Sequence, residues 1–174
     1  NYMKSKTSDW FETKIKYEKT QADGSQKAVI EKYVVDDVSF TEAEGTLIEE
    51  MSAYISGDFK IAGIRPAAYH EIFFSDNPNA DKWYKAKLSF ITIDEKTEKE
   101  KRSTVNYLIQ AASFPGAVKS VEEVMGGTMI DYVITSVAET PFMDVFHHTI
   151  KTSNPKSDDM PEYERDGQTD KEEA

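Results

Sequence analysis

Apolar and polar residues alternate along two stretches of the chain, residues 10–17 and 83–90. In the first stretch the positions that share one face are Phe11, Thr13, Ile15 and Tyr17. In the second stretch they are Tyr84, Ala86, Leu88 and Phe90. A period of two predicts a β-strand with one buried face in each stretch. Return strands are predicted at 28–35 and 104–111, the first of them after a hairpin turn at Asp23-Gly24.

Two helices are predicted where each return strand ends in Ser-Phe. Ser39 and Ser113 are the expected N-terminal caps, because a serine hydroxyl can accept from a free amide of the first turn. Apolar residues then recur at a spacing of four, which is typical of a helix with one core-facing stripe. The stripe residues are Ala43, Leu47, Met51 and Ile55 in the first helix and Ala117, Val121 and Met125 in the second. After each helix an apolar extended segment contains a proline, Pro66 or Pro141, which indicates a bulge or a sheet edge.

The order of these elements in residues 10–75 is repeated in residues 82–148. Many residues recur 73 or 74 positions later, such as Trp10 as Trp83. This pattern is typical of a duplicated structural unit. Because one unit of this size has little core of its own, two units are expected to share a sheet. The sequence therefore predicts an α+β fold, in which a duplicated strand–strand–helix–strand unit forms a mostly antiparallel sheet with both helices on one face, related by a pseudo-twofold axis.

The two units are expected to form a single domain, residues 10–150, followed by an acidic polar tail at 151–174. The tail has four basic and eight acidic residues and hardly any apolar ones, which is typical of a disordered segment. We therefore expect that deletion of 153–174 changes the melting temperature by no more than a few degrees.

Composition narrows the class of protein. The formal charge of −11 argues against nucleic-acid binding, which depends on Lys and Arg at the phosphates. The chain has no cysteine, so disulfides and thiolate metal sites are excluded. It has no apolar run near the roughly 20 residues of a membrane span, and no secretory signal is expected. The resulting expectation is a cytoplasmic protein without a membrane segment.

Several segments resemble a known family. They are Trp10–Thr20, Val34–Glu44, Ile48–Met51, Tyr54–Gly57, Asp131–Ile134 and Ser136–Thr140. They include a Trp-Phe-Glu strand and a Ser-Phe-Thr-Glu-Ala-Glu strand-to-helix motif. Across residues 10–148 the chain is similar to an uncharacterised conserved family from Bacteroidetes, a domain of unknown function. The resemblance carries no catalytic motif and transfers no site residue, and Gly45 departs from it where a stronger helix former is expected.

No established catalytic motif is present in the sequence. It lacks a Gly-rich phosphate loop, a Gly-x-Ser-x-Gly elbow and a His-Glu-x-x-His helix. A divalent metal site is one alternative, because Glu71 and Asp144 hold corresponding positions in the two units, with His70 and His147 nearby. Against it, adjacent strand residues such as His70 and Glu71 point to opposite faces. Exposed polar residues on a rim are the simpler interpretation, and no cofactor is expected.

Two tryptophans hold corresponding positions on the face that the alternation leaves polar. In one interpretation Trp10 and Trp83 cover strand ends or join the two units. In the other they form an exposed recognition platform with Lys14 and Lys87. Arg65 is the one charged residue in an apolar segment. It either binds an anion or donates hydrogen bonds to backbone carbonyls at a strand break.

The favoured function is a non-enzymatic binding or interaction module for an unknown protein or small-molecule partner. A cleft between the two units is the expected binding place. The alternative is a metal-assisted or acid–base hydrolase that uses His70, Glu71, Asp144 and His147. The sequence does not fix the oligomeric state.

Overall fold

The computed structural model describes residues 9–147, which form eight strands and two helices. The predicted tail at 151–174 lies outside these residues. The elements of the first half are β1 (Asp9–Thr20), β2 (Gln26–Asp37), α1 (Phe40–Ser52), β3 (Phe59–Ala67) and β4 (Glu71–Phe73). Those of the second half are β5 (Lys82–Ile93), β6 (Glu100–Ala111), α2 (Phe114–Gly126), β7 (Asp131–Glu139) and β8 (Phe142–Phe146). The predicted α+β class is confirmed.

The described strands form two four-stranded sheets. Sheet A has the order β3-β1-β2-β8, and sheet B has the order β4-β6-β5-β7. Each sheet takes one parallel strand from the other half of the chain, since β8 lies beside β2 and β4 lies beside β6. The four pairs within the halves are antiparallel, which confirms the mostly antiparallel character.

The prediction of one shared sheet with both helices on one face is wrong. α1 contacts β2 and β3, whereas α2 contacts β5, β6 and β7, so each helix covers its own sheet. The reason is that the first strand of each half carries large apolar side chains on both faces. Phe11 packs with α1, and its neighbour Trp10 faces the other way and is also buried. A single sheet covered on one side would leave such residues in water.

Three apolar clusters join the layers. One lies between α1 and the outer face of sheet A, and another lies between α2 and the outer face of sheet B. The third, which we call the middle cluster, consists of Trp10, Val34, Tyr69, Ile72, Trp83, Leu108 and Val145. Because its members come from both sheets, the layers run in the order α1, sheet A, sheet B, α2.

Both helices begin at the serines that the sequence indicates. The Ser39 hydroxyl accepts from the amide of Glu42, and the Ser113 hydroxyl accepts from the amide of Gly116, each at 3.2 Å. The predicted stripe residues within the helices are buried, which fixes each helix on its sheet. Within the described residues, no helix combines the length and the apolar character that a membrane crossing requires.

Sheet A has three local irregularities: a hairpin turn, a proline and a register shift. Gly24 has a φ of 84°, which glycine adopts without strain, and it lies in the β1–β2 hairpin turn that the sequence predicts. Pro66 lies on β3, an edge strand of its sheet, as the proline rule requires. The β1–β3 register shifts between Lys14 and Ile15, and this bulge lies where the inner face becomes charged.

Candidate functional site

A groove of about 620 Å³ lies between the inner faces of the two sheets. Its wall is formed by β1, β2 and β3 of sheet A, by β5 and β7 of sheet B, and by the turn from β7 into β8. The charged side chains of the wall are Glu12, Lys14, Lys32, Arg65, Lys85 and Glu139. Ligand pockets commonly enclose about 300–1,000 Å³, so this groove has room for a small molecule. A cavity of about 190 Å³ beside α1 and β8 falls below that range.

The inner faces change from apolar to charged along the strands. On β1, Trp10 is buried, Glu12 is half-buried and Lys14 is exposed, although alternation puts all three on one face. On β5 the same change occurs between Trp83 and Lys85. The outer faces of both strands stay buried over this stretch. The sheets therefore contact each other at the tryptophans, and the groove separates them further along.

Two side chains hold Glu12 in the wall of the groove. Arg65 lies opposite Glu12 in the β1–β3 pairing, places Nη2 2.5 Å from Oε2, and donates from Nε to the same oxygen at 2.8 Å. The Tyr69 hydroxyl donates to Oε1 at 2.8 Å. Burial, together with this bond to Glu12, raises the pKa of Tyr69 above its ordinary value, so the hydroxyl stays a donor at neutral pH. Because both carboxylate oxygens are engaged, Glu12 is a structural group rather than a free general base.

Three lysines line the groove, and the sequence pattern indicated only Lys14 among them as a binding residue. Lys14 and Lys32 lie directly opposite each other in the β1–β2 pairing, and Lys85 comes from β5 of the facing sheet. Alternation assigns each missed residue to a strand face, but it does not show that the two faces meet. Lys85 follows Trp83 by two positions, and Lys32 precedes the buried Val34 by two, so each shares the face of an inner core residue.

The predicted platform of exposed tryptophans is wrong. Trp10 and Trp83 are 2% and 1% exposed and belong to the middle cluster. The Trp83 ring meets Phe74 nearly edge-on, with 5.4 Å between the ring centroids. This placement fits the other interpretation, in which the indoles join the two halves. Alternation alone could not show that a second sheet covers this face.

The remaining predicted binding residues occupy different places. Lys87 is exposed on β5, opposite Asn106 and Ser136, and is not part of the groove wall. Arg65 is part of the wall and forms an ion pair with Glu12 of its own chain. Its side chain is still 77% exposed, so the guanidinium remains accessible from solvent.

The alternative metal set does not converge. Glu71 lies on β4 in sheet B, and the His70 amide donates to the Asn106 carbonyl of β6 in that sheet at 2.8 Å. Asp144 lies on β8 in sheet A and accepts from the Val145 amide, and His147 follows the same strand. Within residues 9–147, no three His, Asp or Glu side chains are grouped as metal ligands would be. The hydrolase alternative therefore gains no support.

Glu71 lies in a partly buried environment. Burial against β6, where it pairs with Tyr107, raises its pKa above the ordinary value, and the neighbouring His70 opposes the shift. The Tyr107 pKa is raised in turn by burial and by the charge of Glu71. Partial burial, together with the charge of Glu71 beside Tyr107, explains both shifts without a catalytic role.

The fold and the groove define an α+β protein with a cavity of about 620 Å³ between two sheets. Residues 9–148 match the family described as Domain of unknown function (DUF4494), and the chain belongs to this family. A search of the curated proteins found no match. The family description assigns no activity.

Proposed function

We propose that this domain is a non-enzymatic binding module whose ligand is a small molecule held in the groove between the sheets. The observation that carries the proposal is the groove itself, about 620 Å³ in volume and lined from both sheets by polar and charged side chains. Concave sites of this size with a few converging polar groups are the usual form of a ligand site.

The packing around the groove supports a preformed site. The middle cluster holds the two sheets together beside the groove, and the Arg65–Glu12–Tyr69 contacts fix part of its wall. A wall that is already ordered loses less conformational entropy when a ligand binds. The engaged state of Glu12 favours binding over acid–base chemistry at this place.

We also propose that the two halves arose by internal duplication and are related by a pseudo-twofold axis. In support, each half has the order strand, strand, helix, strand, strand, and each gives its last strand to the other sheet. Tyr33 pairs with Asp144 and Tyr107 pairs with Glu71, which are corresponding positions 74 and 73 residues apart. The groove does not follow this symmetry, since Glu12 corresponds to Lys85.

Three further parts of the proposal come from the sequence alone. They are a cytoplasmic location, a bacterial origin in Bacteroidetes, and the organisation of residues 10–150 as a single domain with a dispensable tail.

A thermal-shift screen of metabolites tests the binding function, with a variant that fills the groove. Gly63 lies opposite Lys14 on β3 and lines the groove, and a Cβ at this position meets nothing within 4 Å. Gly63→Phe should therefore fold and occupy the groove. We expect compounds that raise the melting temperature of the wild type to lose their effect on this variant.

Gly57→Phe is the matched control, because its Cβ also meets nothing within 4 Å and the residue lies outside the groove wall. It should respond to the same compounds as the wild type does. If Gly63→Phe keeps the full response, the ligand binds elsewhere and the proposal fails.

A further inference from the structure

The groove wall holds an excess of positive side chains in a chain of net charge −11. Lys14 and Lys32 lie directly opposite each other on the same face of sheet A. The Cβ atoms of such a pair are about 4.5–5.5 Å apart. Lys85 approaches from sheet B. Three lysine residues thus line one groove from two sheets.

None of these three lysines forms an ion pair within the described part of the chain. Its ion pairs are Arg65–Glu12, Arg102–Glu100 and Lys119–Glu123, and none includes a groove lysine. Glu12 is already engaged by Arg65 and Tyr69. The other acid of the wall, Glu139, stands at the exposed edge strand β7.

The burial of Lys32 makes this arrangement unusual. Lys32 is half-buried, whereas most lysines in proteins are exposed. Two like charges that lie directly opposite each other on neighbouring strands also destabilise the sheet. The chain offers a comparison, since Lys19 and Lys27 are also directly opposed on β1 and β2. Both of those residues are exposed near the hairpin turn, where water solvates the charges. Only the groove pair combines partial burial with a third lysine from a facing sheet.

We infer that the groove binds a small polyanion, a molecule with two or more carboxylate or phosphate groups, through Lys14, Lys32 and Lys85. This inference rests on the proposed function and specifies its ligand class. An anion between the sheets supplies the counter-charge that the lysines lack, and each ammonium donates to it. Oxyanions of both kinds offer the same acceptor chemistry.

Tryptophan fluorescence provides a built-in reporter for the test. Trp10 and Trp83 are the two tryptophans of the sequence, and each lies two residues before a groove residue on the same strand face. The full chain is titrated with citrate and, separately, with pyrophosphate at constant ionic strength. Glycerol and spermidine serve as the neutral and cationic controls. We expect a saturable signal with citrate, pyrophosphate or both, and none with the controls.

The matched variants are Lys32→Gln and Lys27→Gln, which remove one member of each opposed lysine pair on β2. We expect the Kd for the anion to rise about tenfold or more in Lys32→Gln, because a charge-assisted hydrogen bond is lost. Lys27→Gln should bind as the wild type does. Lys32→Arg should restore binding, which separates a loss of charge from a loss of folding.

The outcomes separate this inference from the proposed function. Saturation by citrate alone indicates a polycarboxylate, saturation by pyrophosphate alone indicates a phosphorylated ligand, and either supports the inference. Equal losses in Lys32→Gln and Lys27→Gln overturn it, because the effect is then one of general charge. If neither anion binds but a neutral compound from the screen is blocked by Gly63→Phe, the anion inference fails and the binding function stands. If no compound binds in either experiment, both fail.

Discussion

The two ends of the space between the sheets have the same strand geometry and opposite chemistry. At the closed end, Trp10 and Trp83 are buried together in the middle cluster. Two residues along the same strands, Glu12 and Lys85 line an open groove. Period-two alternation keeps the face constant, so only the side-chain type differs. The comparison shows how packing at one end can hold two sheets at a spacing that leaves a ligand site at the other.

The largest change in the free energy of unfolding is expected for a substitution at the closed end. Trp83→Ala removes a large buried side chain from the contact between the sheets and should lower the free energy of unfolding by about 3–5 kcal/mol. Urea denaturation measures this change. Tyr54→Ala is the control, because Tyr54 is 75% exposed and its truncation should change stability by less than about 0.5 kcal/mol. Similar losses for both variants would show that the closed end does not hold the sheets together.

A smaller loss of stability is expected for a substitution where the two ends meet. Tyr69 belongs to the middle cluster and also donates to Glu12 in the groove wall. Tyr69→Phe keeps the ring and deletes this hydrogen bond, so it should destabilise the protein by about 1 kcal/mol in the same assay. Tyr54→Phe should be neutral. A Tyr69→Phe variant as stable as its control contradicts a wall that is fixed by Glu12.

The smallest change in the free energy of unfolding is expected at the open end, where a substitution should stabilise the protein. Lys14→Gln removes one of two opposed charges and should raise the free energy of unfolding by a few tenths of a kcal/mol in ligand-free protein at low salt. The gain should shrink as salt screens the repulsion. Lys87→Gln is the control, because Lys87 lies opposite the uncharged residues Asn106 and Ser136. A loss of stability in Lys14→Gln would mean that Lys14 has a favourable partner in the folded chain.

Much of the local structure could be predicted from the sequence because it depends on local patterns. Alternation gave the long strands, and Ser39 and Ser113 marked the helix starts through their hydroxyls. The stripes at a spacing of four, such as Ala43 and Leu47, identified the faces that pack on the sheets. Each of these signals lies within a few residues of the feature that it predicts.

The division into two sheets could not be predicted in this way. It depends on β4 and β8, strands of three and five residues that pair in parallel with distant partners. No local pattern distinguishes such a strand from the end of β3 or β7. If β4 and β8 are not assigned to the opposite sheets, the sequence predicts that the inner face of β1 is polar and exposed. Nothing then indicates that Lys32 and Lys85 line the same groove. The candidate site was therefore missed where it depends on long-range pairing.

Chemical-shift mapping of a bound anion tests the central claim most directly. Amide spectra of ¹⁵N-labelled protein are recorded during a titration with citrate, or with pyrophosphate if citrate does not bind. The account predicts saturable shifts at the amides of Lys14, Lys32, Gly63 and Lys85, together with shifts of the indole N–H signals that report on the closed end. Shifts confined to the hairpin near Lys19 and Lys27, or spread evenly over the surface lysines, would contradict a ligand site between the sheets.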